Sequence, residues 1–265
     1  MIPFFQLHTL ELGPITIQVW GLFVALGILA AIVFAYFLCK KYLLSGELIL
    51  DISIWALIGG LLMARIFHVV FYNPVYFVEN PTEVFKVWHG GASSLGGFVG
   101  AALSVWLFAK KRRFVLKELL PYFDIGILSL WLGWGIGRIG CFLIHDHPGA
   151  LTDFILGVNY PGGTRFDLGL MESILGFILF IIFYLLFKKL IKMSWGLVAI
   201  LSIGLYAVAR FFLDFLRISD NFSGADTRYA SLTPAQWGMI AILVGLTLYL
   251  ILAKMKRQKT NGEVA

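Results

Sequence analysis

Arg138 lies in GWGIGRIGCF (Gly133 to Phe142), near the end of a hydrophobic stretch that begins at Pro121. An arginine inside a membrane span costs about 2.5–3.5 kcal/mol on insertion scales, so it marks a place where something anionic is met. A second pattern, YAVARFFLDFLR, spaces Tyr206, Arg210, Asp214 and Arg217 by 4, 4 and 3 residues, which lines them along one helical stripe. Arg210 and Asp214 at i, i+4 can neutralise each other, which leaves Arg138 and Arg217 unpaired. Guanidinium groups converging from different helices suit a phosphate, because the planar fork meets two phosphate oxygens at once. Glu172 and Arg65 are further intramembrane charges that either compensate others or orient a substrate, whereas Asp51 and Asp124 read as interfacial. His145, Asp146 and His147 follow Arg138 without the i, i+4 spacing of a helical zinc pair, so no metal site is read and no cofactor is implied.

WHGGASSLGGFVG (Trp88 to Gly100) has two open readings. Paired glycines allow close helix packing, or a broken helix turns its N–H groups towards an anionic head group. His89 and His68 read as proton carriers, metal ligands or structural histidines.

The elements that position these residues follow from composition. The chain has 265 residues, 60% hydrophobic and 14% charged, which places it among polytopic membrane proteins. Seven stretches of about 20 mostly apolar residues can cross a bilayer as helices. They lie near 16–39, 49–72, 91–109, 121–144, 168–187, 195–216 and 234–253. The expected fold is all-α, one integral membrane domain over 1–265. Fourteen of the 21 Lys and Arg follow the first, third, fifth and seventh stretches, among them Lys40, Arg112, Lys188 and Arg257. Basic residues are retained in cytoplasmic connections, so the N-terminus is expected outside and the C-terminus inside. The net charge of +6 is then a topology signal, and no nucleic-acid partner is implied. The first stretch is too long for a signal peptide and is expected to be retained. Cys39 and Cys141 are expected at opposite faces, where they cannot pair. The outer connections, His145–Asp167 and Ile218–Thr233, read as polar, glycine-containing lids or docking arms.

Six motifs in order carry a resemblance. They are WGLFVALG (Trp20 to Gly27), ARIFHVVFYNP (Ala64 to Pro74), VWHGGASSLGG (Val87 to Gly97), GRIGCFLIHDHPG (Gly137 to Gly149), RFDLGLMES (Arg165 to Ser173) and YAVARFFLDFLR (Tyr206 to Arg217). Together they resemble the bacterial prolipoprotein diacylglyceryl transferase family over nearly the whole chain. The resemblance implies a multi-pass enzyme of the bacterial plasma (inner) membrane. It would move the diacylglyceryl group of phosphatidylglycerol, a membrane lipid, to the lipobox cysteine of a preprolipoprotein, forming a thioether and releasing glycerol phosphate. Arg138 and Arg210 would bind the lipid phosphate with Gly96, Gly97, Gly140, Gly149, Asp214 and Glu172, and Arg210, Asp146, Tyr206 and His89 would serve catalysis. The chain departs from the family at Leu95 and Phe166 for histidine, Cys141 for asparagine, Asp167 for proline, and Trp20 and Met171 for tyrosine. The rival readings are a lipid-binding paralogue with another acceptor or no catalysis, and a transporter.

Overall fold

The computed structural model describes residues 1–72, 74–86, 90–217 and 228–262. Its long helices are α1 (Val19–Lys41), α2 (Gly46–Phe71), α4 (Ser94–Lys111), α5 (Leu116–Ile144), α6 (Leu168–Met193), α7 (Leu197–Leu213) and α8 (Pro234–Gly262), and a short α3 (Pro74–Glu79) follows α2. Each of the seven predicted stretches overlaps one long helix. Six are long and apolar enough to cross a membrane; the exception, α4, has 18 residues and ends on Lys110 and Lys111. The protein is therefore a mostly helical, polytopic membrane protein. Short strands join the helices, which sequence reading did not anticipate: β1 (Ile2–Pro3), β2 (Thr9–Leu12), β3 (Ile15–Gln18), β4 (Pro148–Leu151), β5 (Val158–Tyr160) and β6 (Gly163–Asp167).

The chain forms two compact units, residues 1–33 with 123–265 and residues 34–122. In the first, glycine sets the helix spacing, since small residues let backbones approach. A Cβ on Gly27 of α1 would strike the Gly133 carbonyl oxygen of α5, and one on Gly133 would lie 2.6 Å from the Gly27 carbonyl oxygen. The α5–α6 contact is equally close: a Cβ on Gly176 would lie 2.9 Å from the Gly135 nitrogen, and Ser173 Oγ donates to the Gly135 carbonyl at 2.8 Å. Asp124, expected at an interface, is fully buried instead. Gly196 begins α7 without a side-chain cap of its own. Asp124 supplies that cap from α5, accepting from Gly196 N at 2.7 Å and Ala199 N at 2.8 Å. Orphan N–H groups at a helix start require such partners, and inside a membrane water does not supply them.

The connection 145–167 is a small sheet rather than a plain polar arm. Strand order is β1-β5-β6-β4, with β1 parallel to β5 and the other pairs antiparallel. It closes on β6, whose last residue, Asp167, caps α6 by accepting from Leu170 N at 2.9 Å. Strands β2 and β3 form a separate hairpin that leads into α1.

In the second unit α2 and α4 cross on glycines. A Cβ on Gly100 would strike the Gly59 carbonyl oxygen, and one on Gly96 would meet the Met63 carbonyl oxygen at 2.5 Å and Phe67 at 2.6 Å. Close packing is thus the role of Gly96 here, while Gly90 and Gly91 ahead of α4 are non-helical with φ of 82° and 80°. Of the two readings of this segment, close packing is the one that Gly96 and Gly100 support. Arg65 is buried among backbone carbonyls: its guanidinium donates to those of Val84, Gly90, Gly91, Glu83 and Lys86. Asp51 stays partly exposed, 3.8 Å from Arg112, as an interfacial residue should.

Candidate active site

Glu172 is the hub of the charged residues in the first unit. The Asp167 cap starts α6, and Glu172, five residues on, is fully buried. Arg138 of α5 places Nη2 2.8 Å from Oε2, and Arg210 of α7 places Nε 3.4 Å from Oε1. Arg210 Nη1 also donates to Asp214 Oδ1 at 2.5 Å. Arg138 is therefore not unpaired, and the expectation that it would be is corrected by Glu172. The single stripe is corrected too. Helix α7 ends at Leu213, Asp214–Leu216 is a 3-10 turn, and Arg217 is extended, with Nη1 3.8 Å from Asp214 Oδ1. Arg217 bridges to Gly149, where a Cβ would lie 2.7 Å from the Leu216 carbonyl oxygen. Gly149 thus lets the sheet approach the end of α7.

The contacts to Glu172 are ionic rather than directed, for neither of its oxygens receives an aligned hydrogen bond among the described residues. A buried, half-satisfied polar cluster is costly in a low dielectric, and it leaves guanidinium donors aimed elsewhere. Arg138 Nη1 meets a soft acceptor, Cys141 Sγ at 3.6 Å, and the guanidinium lies 4.6 Å from the Trp134 ring centroid. Tyr206, one turn before Arg210, is half-buried and packs tilted against Trp131, ring centroids 4.9 Å apart. Two arginines, an aromatic wall and one shared carboxylate can exchange that carboxylate for a phosphate.

The surrounding elements lock these groups. Thr233 N donates to Gln236 Oε1 at 2.9 Å and Gln236 N to Thr233 Oγ1 at 3.2 Å, a reciprocal capping box at the start of α8. Thr233 Oγ1 also donates to Asp214 Oδ2, which ties that cap to the partner of Arg210. Sequence reading passed over Thr233 and Gln236, although TPAQ carries the capping spacing. It also missed a second buried cluster: His145 Nδ1 lies 2.7 Å from Asp167 Oδ2, to which the Tyr160 hydroxyl donates at 2.6 Å. Burial, aided by the Asp167 charge, pushes the Tyr160 phenol well above its ordinary pKa, so it stays a donor. His147 sits 2.9 Å from Asp146, so HDH converges on no common point; no group of three metal-ligating side chains occurs among the described residues.

The predicted residues divide by place. Arg138, Glu172, Arg210, Asp214 and Tyr206 are gathered around one centre. Gly140 packs against α1, where a Cβ would lie 2.8 Å from Phe23 Cβ, and Asp146 is exposed. Gly96 and Gly97 belong to the second unit. His89 and residues 218–227 of the second outer connection lie outside the described residues.

The family model described as prolipoprotein diacylglyceryl transferase matches residues 8–252. The chain belongs to that family. Among similar diacylglyceryl transferases, the phosphatidylglycerol–prolipoprotein diacylglyceryl transferase of Staphylococcus xylosus is 31% identical over 255 residues, covering 91% of this chain and 87% of the relative. The protein of the same name from Francisella tularensis subsp. novicida (strain U112) is 34% identical over 221 residues, covering 80% of each. In this diacylglyceryl transferase family member, Leu95 is 63% exposed, so it offers neither a polar group nor a packed one where the family motif has histidine. Cys141 is buried against Arg138.

Proposed function

We propose that this chain transfers the diacylglyceryl group of phosphatidylglycerol to the lipobox cysteine of a prolipoprotein, forming a thioether and releasing glycerol phosphate. The observation that carries the reading is the convergence of Arg138 and Arg210, from two helices, on one carboxylate they do not hydrogen-bond squarely. A phosphodiester entering there replaces Glu172 as the acceptor and gains two forked donors. The acceptor sulfur attacks the glycerol carbon, the carbon–oxygen bond to phosphorus breaks, and the phosphate becomes a monoester with added negative charge. Donors fixed before the reaction stabilise that charge more than they stabilise the lipid, which is the condition for catalysis.

Arg210 thus serves both binding and catalysis, Tyr206 and Asp214 orient it, and Gly140 and Gly149 keep the walls close. Asp146 and His89 are the further candidate catalytic groups. The chain acts as one integral domain of seven spans in the bacterial inner membrane, with its N-terminus outside and C-terminus inside. The names of its relatives favour this transferase over a lipid-binding paralogue or a transporter. Purified protein given phosphatidylglycerol and a lipobox peptide should form the thioether. Absence of product, with lipid retained equally by wild type and Arg138→Ala, would overturn both catalysis and the phosphate site.

A further inference from the structure

The proton of the acceptor thiol needs a destination, and the cluster at the α5–α6 junction provides one. His145 is 4% exposed and its backbone is left-handed, with φ of 51°. Its Nδ1 faces Asp167 Oδ2 at 2.7 Å, and Asp167 is held in turn by the Tyr160 hydroxyl at 2.6 Å and Leu170 N at 2.9 Å. An ionised carboxylate only accepts, so Nδ1 carries the proton and the lone pair resides on Nε2. That Nε2 is buried with no hydrogen-bond partner among the described residues. Phe4 stacks on the ring at 5.1 Å, and Phe5 and Phe142 meet it edge-on at 5.2 and 5.1 Å. An oriented imidazole with an unused basic nitrogen has the arrangement of a general base.

Its position suits the reaction. His145 follows Arg138 by seven residues, about 10 Å of helix rise, and Asp167 precedes Glu172 by five, about 7.5 Å. The sulfur must approach the glycerol carbon from the side opposite the phosphate oxygen, several ångströms from the guanidinium groups. Phe4 and Phe5 lie against the imidazole ring from a segment tied at Ile2 N to the Gly157 carbonyl (2.8 Å) and at Leu7 N to the Leu143 carbonyl (3.0 Å). Phe5 is 40% exposed, so an apolar acceptor segment can displace these rings without unfolding the sheet.

We infer that His145 Nε2 takes the proton of the acceptor thiol once the Phe4 and Phe5 rings move aside. This rests on the transferase reading above. The S–H proton passes to Nε2, the S–C bond forms as the C–O bond to phosphorus breaks, and the electron pair leaves with the phosphate. The imidazolium, held by Asp167, then gives its proton to the phosphate monoester or to water. Asp146 is a poorer candidate here, because its carboxylate is exposed and Oδ1 already lies 2.9 Å from His147 Nδ1. The titratable and charged groups around His145 are Asp167 and Arg165 of β6, Tyr160 of β5, and Asp146 and His147 beside it in the chain; Phe4, Phe5 and Phe142 do not titrate.

The test uses the full chain in phosphatidylglycerol vesicles with a lipobox peptide carrying cysteine or selenocysteine. His145→Gln should lower kcat for the thiol about 10²-fold or more near neutrality and leave KM for the lipid unchanged. Its rate should climb about tenfold per pH unit towards the thiol pKa near 8.5, a dependence that wild type, whose thiol gives its proton to Nε2, should not share. A selenol is already ionised at neutral pH, so it should restore His145→Gln towards wild type but not Arg138→Ala. If His145→Gln does not fold, Asp167→Asn, which keeps an oxygen for Leu170 N, should show the same loss and the same selenol rescue. Retention of kcat within about threefold with an unchanged pH profile, or a loss the selenol does not rescue, overturns the inference. Absence of thioether from wild type overturns the transferase reading instead.

Discussion

At Arg138 the local chemistry is a guanidinium with one ionic partner, one sulfur and one indole face. Removing a donor that stabilises developing negative charge costs about 10²–10³ in kcat. Arg138→Ala and Arg210→Ala should each show a loss of that size in thioether formation, while Arg138→Lys, a point charge without the fork, should recover part of it. Glu172→Gln keeps the shape and removes the counter-charge. It should bind phosphatidylglycerol more tightly than wild type and unfold at lower temperature in detergent, measured by lipid retention and by thermal melting. Sequence reading recognised Arg138 and Arg210 because a charge in an apolar stretch stands out in one dimension. It could not assign Glu172 to both, because a salt bridge between α5 and α6 depends on which faces meet, and spacing within one helix does not specify that. Cys141 and Trp134 were invisible as arginine partners for the same reason: each is an ordinary residue of an apolar helix until the guanidinium is placed over it.

Helix by helix, the site depends on ends and crossings. Thr233 joins two functions, closing the capping box with Gln236 and donating to Asp214. Thr233→Val should destabilise the protein by about 0.5–2 kcal/mol, the usual worth of an N-cap, and also slow the transferase through Arg210; thermal melting and kcat measure the two. The Gly27–Gly133 crossing leaves no room for a side chain. Gly133→Leu should prevent accumulation of folded protein in membranes. The seven helices were legible from runs of apolar residues, since a bilayer demands length more than pattern. The sheet was not, because strands of two to five residues between glycines carry too little periodicity. The end of α7 was misread for a related reason. A stripe continues on paper past Leu213, but the chain bends there to meet Gly149.

For the molecule as a whole, charge asymmetry is the strongest signal outside the site. If basic connections are cytoplasmic, thiol-specific labels that cannot cross the membrane should reach a cysteine placed at position 7 from outside intact cells and one placed at 257 only after permeabilisation. The opposite pattern would reverse the topology and move the charged cluster to the other leaflet.

Glu172 has a consequence for turnover. If the lipid phosphate binds Arg138 and Arg210 as proposed, the Glu172 carboxylate between them is an internal competitor for that site. The lipid has to evict it. After the carbon–oxygen bond breaks, the phosphate product holds more charge than the lipid did and would linger on the same arginines. On that reading the returning carboxylate would compete with the product as well, so Glu172→Gln should slow product release as it tightens lipid binding.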